Sequence, residues 1–185
     1  MRHHVGARRR AHSESVARLA ADLCRRFGEE PLYGTIAGLA HDVAREMPAS
    51  QLMSLVREDG GAISARERKR PVLLHGRAAA VVLRREVGGC PPELYDALAD
   101  HVTGRPGMSR LARILYAADY LEPERGFLEA EERSAILGMD LDPMVLAVLK
   151  KVISYLVQEG VPVAEEALAL CRELGEHADA QAKMG

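Results

Sequence analysis

Apolar residues recur along much of this chain at three- and four-residue spacing, the period of a helix with one buried face. Val16, Leu19, Ala20, Leu23 and Phe27 form the first stripe, so a helix is predicted over Ala11 to Phe27, with Gly28 as its stop. Pro31 suits a first turn, and Ile36, Leu39, Ala40 and Val43 mark the inner face of a second helix through Val43. A shorter helix is predicted from Pro48 to Val56, before Gly60-Gly61. Ser64-Ala65-Arg66-Glu67 has the form of a capping box, so a short helical turn starts there and Pro71 breaks it. Further helices are predicted over Leu73 to Val87, Pro91-Pro92 to Val102, Ser109 to Leu121 and Phe127 to Leu137. Asp142-Pro143 reads as a cap and a first-turn proline, opening an apolar helix from Met144 to Gln158. A last helix covers Ala164 to Leu174, and Gly175 to Gly185 reads as a frayed tail. No alternating strand pattern or internal repeat interrupts this series. The expected fold is an all-α bundle of about eight helices.

Composition agrees and narrows the function classes. A chain of 185 residues suits one domain spanning residues 1–185. Aromatics are only 4% and Trp is absent, which favours helices packed through Ala and Leu. The formal net charge of −2 gives no reason to expect nucleic acid as a partner. No apolar run is long enough for a bilayer, so no membrane association is expected. Met1-Arg2-His3-His4 leads into Arg8-Arg9-Arg10 without an apolar segment, unlike a secretory signal. The three cysteines, Cys24, Cys90 and Cys171, form no CxxC pair and are expected as reduced thiols in a cytoplasm.

The chemistry centres on Gly38-Leu39-Ala40-His41-Asp42-Val43. An adjacent His-Asp pair at the end of an apolar helix is costly to bury unless compensated. A metal ion would compensate both, through imidazole nitrogen and carboxylate oxygen. His12, His75, His101 and Asp119 are possible co-ligands. Adjacent helical residues point about 100° apart, so His41 and Asp42 would reach two neighbouring ions rather than chelate one. Four histidines and two carboxylates exceed one tetrahedral shell but suit two metals sharing a carboxylate. Such a donor set favours iron, manganese, cobalt or zinc. Each residue also has an ordinary alternative. His12 could be a solvent-facing histidine, His41-Asp42 a metal-free hydrogen-bonded pair, His75 a helix-start residue and His101 a helix-end one. Asp119 could be a satisfied core carboxylate. The runs Arg8-Arg9-Arg10 and Arg66 to Arg70 read as solvated faces, and Phe27, Tyr95, Tyr116 and Tyr120 as core.

Five segments together resemble the YqeK family of HD-domain hydrolases. They are Arg10-Ala11-His12-Ser13, Gly38 to Asp42, Leu73-Leu74-His75-Gly76, His101-Val102-Thr103-Gly104-Arg105-Pro106-Gly107-Met108, and Tyr116-Ala117-Ala118-Asp119-Tyr120-Leu121-Glu122-Pro123. They run in order between His12 and Arg125, and the last two are the most specific. The resemblance implies a helical HD fold, with the segment from 127 to 175 completing the bundle. It implies a di-iron or similar dimetal centre held by His12, His41, Asp42, His75, His101 and Asp119, with Asp42 as bridge. It implies symmetrical hydrolysis of diadenosine tetraphosphate to two ADP by metal-bound hydroxide. Two positions depart from the family pattern: Ala40, where a second Leu is usual, and Val102, where a Thr is usual.

Arg45 stands three residues after Asp42, where related hydrolases often carry Lys, and is a candidate catalytic contact to phosphate. Arg105 and Arg125 are further candidates for the polyphosphate, and Ser13 and Thr103 for hydrogen bonds to ligands or phosphate. Two alternatives remain open at this level. One is another HD phosphohydrolase acting on nucleotide monoesters or cyclic nucleotides. The other is a non-catalytic nucleotide- or metal-binding module. A homodimer through the apolar surface of the Met144 to Gln158 helix is also expected.

Overall fold

The structure, a computed structural model, describes residues 6–182. His3 and His4 lie outside them. Ten α-helices form the fold, and no strand occurs among the described residues. They are α1 (Ala7–Phe27), α2 (Pro31–Ala40), α3 (Ala49–Val56), α4 (Ala65–Lys69), α5 (His75–Glu86), α6 (Pro92–Asp100), α7 (Arg110–Leu121), α8 (Ala130–Leu137), α9 (Leu141–Gln158) and α10 (Glu165–Ala182). A tight 3-10 turn, Pro71–Leu74, leads into α5. The expected eight or so become ten partly because the single turn after Ser64 is a helix in its own right. Its capping box is complete: Glu67 donates its backbone N–H to the Ser64 hydroxyl, and Ser64 N–H donates to the Glu67 carboxylate.

Several boundaries move. Helix α1 begins at Ala7, four residues before the predicted start at Ala11, and so carries the three arginines on its first turn. Helix α2 stops at Ala40, and the chain then tightens: Val43 bonds back to the Ala40 carbonyl and Arg45 to that of Asp42. His41 and Asp42 therefore stand on a turn rather than within the helix. Asp140, not Asp142, precedes α9, and Asp142 instead accepts from Arg113 at 2.6 Å. The segment expected to fray after Leu174 continues as helix to Ala182. Gly175, where the frayed tail was expected to begin, sits mid-helix, and Ala178, Ala180, Gln181 and Ala182 beyond it are strong helix formers. Glu173 and His177 tie this helix back to Arg113 and Asp142.

The core is built mostly from α1, α6, α7, α9 and α10. Leu94 and Leu98, Ile114 and Leu115, Met144 and Leu149, and Leu170 and Leu174 are essentially inaccessible. Each such side chain contributes about 1.5–3 kcal/mol relative to exposure. A second, smaller cluster joins Leu52, Val56, Leu74, Ala78 and Ala79 beneath the turn after α2. Tyr155 and Val157 stay exposed at the end of α9, where its apolar surface runs past the core. No helix of the described residues is long and apolar enough to cross a membrane.

Two glycines set the close contacts that matter for the site. A Cβ on Gly38 would lie 2.3 Å from the Ala17 Cα, so α2 meets α1 backbone to backbone. A Cβ on Gly76 would lie 2.5 Å from the Leu98 carbonyl oxygen, so α5 and α6 meet as closely. These approaches bring the ends of α2 and α6 and the start of α5 to one point.

Candidate metal centre

His12 lies on the second turn of α1, His41 and Asp42 just after α2, His75 at the start of α5, His101 at the end of α6, and Asp119 in the last turn of α7. The fold brings all six side chains together. Three overlapping triads have donor atoms within 4.8 Å of one another: His12, His41 and Asp42; His41, His101 and Asp119; and Asp42, His75 and His101. His41, Asp42, His75 and His101 are buried, while His12 and Asp119 are half-buried.

Three of the histidines share one orientation device. His41 Nδ1 is 2.7 Å from the Gly38 carbonyl, His75 Nδ1 2.6 Å from that of Val72, and His101 Nδ1 2.7 Å from that of Leu98. In each case the partner is the carbonyl three residues back. A carbonyl only accepts, so each Nδ1 carries a proton, and in the neutral ring, the form that binds a metal, each Nε2 presents a lone pair. Those lone pairs converge. His75 Nε2 and His101 Nε2 are 3.1 Å apart, and His75 Nε2 is 3.2 Å from Asp42 Oδ1. His41 Nε2 is buried without a hydrogen-bond partner, with Asp119 Oδ1 at 3.5 Å and Asp42 Oδ2 at 3.7 Å.

Lone pairs and carboxylate oxygens gathered out of water repel unless a proton or cation lies among them. The orphaned His41 nitrogen, the facing His75 and His101 nitrogens, and the imidazole and carboxylate chemistry together fit a metal ion of the late first transition row or its neighbours. The cluster can hold a metal.

His12 is oriented differently. Its Nδ1 donates to Glu122 Oε1 at 3.1 Å, and its Nε2 faces Asp119 Oδ1 at 3.0 Å. Glu122 is buried, ends α7 and also accepts the Glu124 N–H at 2.9 Å. A carboxylate behind a ligating imidazole fixes its tautomer and strengthens it as a donor. Sequence reasoning assigned Glu122 no role, although it lies within the quoted motif, three residues after Asp119 and directly before a helix-ending proline.

Electrostatics follow the geometry. Burial, aided by the neighbouring His75 and His41, pushes His101 down to about 3, so its imidazole is neutral. Burial opposes charge on Asp42 and Asp119, but partners outweigh it. His75 and His41 hold Asp42 below the usual carboxylate range, and His12, His41 and Arg125 hold Asp119 well below it. Burial also works against His41, yet the Asp119 carboxylate draws its pKa up.

A cleft of about 620 Å³ opens over the cluster, lined by Arg8, Arg9, Arg45 and Arg125 and by Glu46, Glu124 and Phe127. Three of the arginines reach the cluster itself. Arg9 bonds Asp42 and Glu46, Arg45 donates to His75 Nε2 at 3.1 Å, and Arg125 bonds Asp119. Arg9 belongs to the run read from sequence as a solvated face. Its partner Asp42 is 33 residues away, a pairing that no local pattern signals. Arg105 points elsewhere: it donates to Asp100 at 2.8 Å and to the Pro106 carbonyl at 3.3 Å. Neither Arg105, Thr103 nor buried Ser13 is among the residues lining the cleft.

Comparison with known proteins gives this geometry its family. The HD domain family matches residues 9–124, the span that carries all six residues. A symmetrical bis(5'-nucleosyl)-tetraphosphatase of Halalkalibacterium halodurans is 30% identical over 173 residues, covering 92% of this chain and 91% of that protein. The protein of the same name from Bacillus subtilis is 29% identical over 152 residues, covering 82% and 81%. An HD superfamily hydrolase of Clostridium acetobutylicum, described as involved in NAD metabolism, superposes with a TM-score of 0.87 at 28% identity, over 94% of this chain and 92% of its own. The chain belongs to the HD-domain family and, within it, to the YqeK-type symmetrical bis(5'-nucleosyl)-tetraphosphatases.

Proposed function

We propose that this chain hydrolyses dinucleoside tetraphosphates symmetrically, releasing two ADP from diadenosine tetraphosphate. One observation carries the reading: six imidazole and carboxylate donors converge at the floor of an arginine-lined cleft. The names of the relatives supply the substrate class. His12, His41, Asp42 and Asp119 would hold one ion, and Asp42, His75 and His101 a second. Asp42 suits the shared position, because its Oδ1 faces His75 and its Oδ2 faces His41. Iron is our first choice, and manganese, cobalt and zinc favour the same donors. A bound pair of such ions polarises phosphoryl oxygens and lowers the pKa of water.

The chain's own residues do the remaining work. The backbone carbonyls of Gly38, Val72 and Leu98 hold three imidazoles in the tautomer that presents Nε2. Arg9, Arg45 and Arg125 line the cleft on cluster residues from different elements, and each would exchange a carboxylate or imidazole partner for phosphate oxygens. Arg45, nearest His75, would meet the phosphoryl group under attack and bear its developing charge. Ser13, Thr103 and Arg105 are left out of the proposed phosphate contacts because they do not line the cleft.

Product analysis tests the reaction. The protein, supplied with ferrous or manganous ion and diadenosine tetraphosphate, should yield ADP as its sole nucleotide product. AMP plus ATP would reject the symmetrical cut, and intact substrate would reject the activity.

A further inference from the structure

We propose that Phe127 is the stacking platform for one nucleobase of the substrate, an inference that rests on the nucleotide chemistry proposed above. Phe127 is 58% exposed. An exposed large apolar ring is unremarkable by itself. Its place is the informative feature. Among the large apolar side chains exposed in the described residues, Phe127 alone lines the cleft over the histidine-carboxylate cluster. Leu32, Leu39, Val72, Val87, Tyr155 and the others lie away from it.

The ring is held in position by its surroundings. It belongs to the connection between α7 and α8, the last turn of which is tied down twice. Arg133 donates to the Arg125 carbonyl at 2.9 Å and to the Leu128 carbonyl at 3.1 Å, on either side of Phe127. Leu128 is buried, which anchors the chain one residue further on. Tyr120, from α7, braces the ring edge-to-face with centroids 5.1 Å apart. The exposure is thus a fixed presentation of an aromatic surface to the cleft.

Arg125 links that surface to the cluster. Its guanidinium bonds Asp119 and lies 5.9 Å from the centre of the Phe127 ring. Cluster, arginine and aromatic ring therefore follow one another along the cleft, in the order reacting phosphate, flanking phosphate and base of a nucleotide. Stacking is tolerant of base identity, so the platform would accept any nucleobase and favour purines through their larger face.

The test measures ADP and inorganic pyrophosphate binding by calorimetry, and tetraphosphate hydrolysis in parallel. In Phe127→Ala, affinity for ADP should fall roughly tenfold, as expected for one lost base stack, while pyrophosphate affinity stays unchanged. Phe127→Trp should restore ADP affinity. Equal effects on both ligands, no effect on either, or no ADP binding by the wild type would each overturn the platform. If ADP and pyrophosphate separate as expected but the wild type leaves the tetraphosphate intact, the platform stands and the proposed reaction falls.

Discussion

His75 Nε2 and His101 Nε2 stand 3.1 Å apart, and the proton of each imidazole is committed at Nδ1 to a backbone carbonyl of its own segment. Two neutral imidazoles in this orientation aim lone pairs at one another. A cation between or beside them turns that repulsion into ligation, so the histidine pair favours a filled site. Chelation with EDTA should accordingly lower the melting temperature, and readdition of manganous or ferrous ion should restore it. An unchanged melting temperature after verified metal removal would contradict this.

Asp42 joins the two halves of the cluster through its two oxygens. Asp42→Ala should lose bound metal and hydrolysis together while keeping its helical circular dichroism. Full activity in that variant would remove the dimetal mechanism.

Glu122 holds the one imidazole of the cluster that no backbone carbonyl orients. Glu122→Ala should weaken metal affinity by about 10–100-fold, the usual effect of losing such a partner. Glu122→Gln, whose amide oxygen still accepts from His12 Nδ1, should recover most of it. Identical metal titrations for all three proteins would show that Glu122 has no such role.

How much of this was legible in the sequence depends on the range of the interaction. Helices were legible because their apolar period is local: Val16, Ala20, Leu23, and Ile114, Leu115, Ala118 read directly as buried faces. The six candidates were legible through the family resemblance, but their convergence is a tertiary fact. Glu122 and Arg9 were missed because they act on residues 110 and 33 positions away. The charge of Arg105 is visible in sequence, while its pairing with Asp100 is not. Phe127 was placed inside a helix from Phe127 to Leu137, but α8 begins only at Ala130, which leaves the ring on a connecting loop.

Gly38 is the packing position on which the His41 turn depends. A Cβ there meets backbone atoms of Ala17, which have no rotamer to give. Gly38→Ala should destabilise by about 1–3 kcal/mol, the ordinary cost of overpacking, and should also weaken metal binding by moving the His41 anchor. Gly126→Ala, whose new Cβ would meet nothing within 4 Å, serves as the control. Denaturant midpoints that coincide for the two variants would contradict the close α1–α2 approach.

His101 gives a pH dependence of known sign. Its pKa falls from 6.5 to about 3 on folding, so between those values the unfolded chain binds the extra proton. Stability from this group is complete above pH 6.5 and is lost as pH falls towards 3. His41, whose pKa is raised, acts in the opposite sense, so the comparison must isolate one residue. In metal-free protein, His101→Gln should lose less stability than the wild type between pH 6.5 and 4. Parallel stability curves would contradict a buried, neutral His101.

The most direct test of the metal-centred account is the metal content of the protein as purified, measured by mass spectrometry alongside hydrolysis of diadenosine tetraphosphate by the same sample. The account predicts about two transition-metal ions per chain and ADP release that rises and falls with metal content. Undiminished turnover by protein free of metal would contradict it.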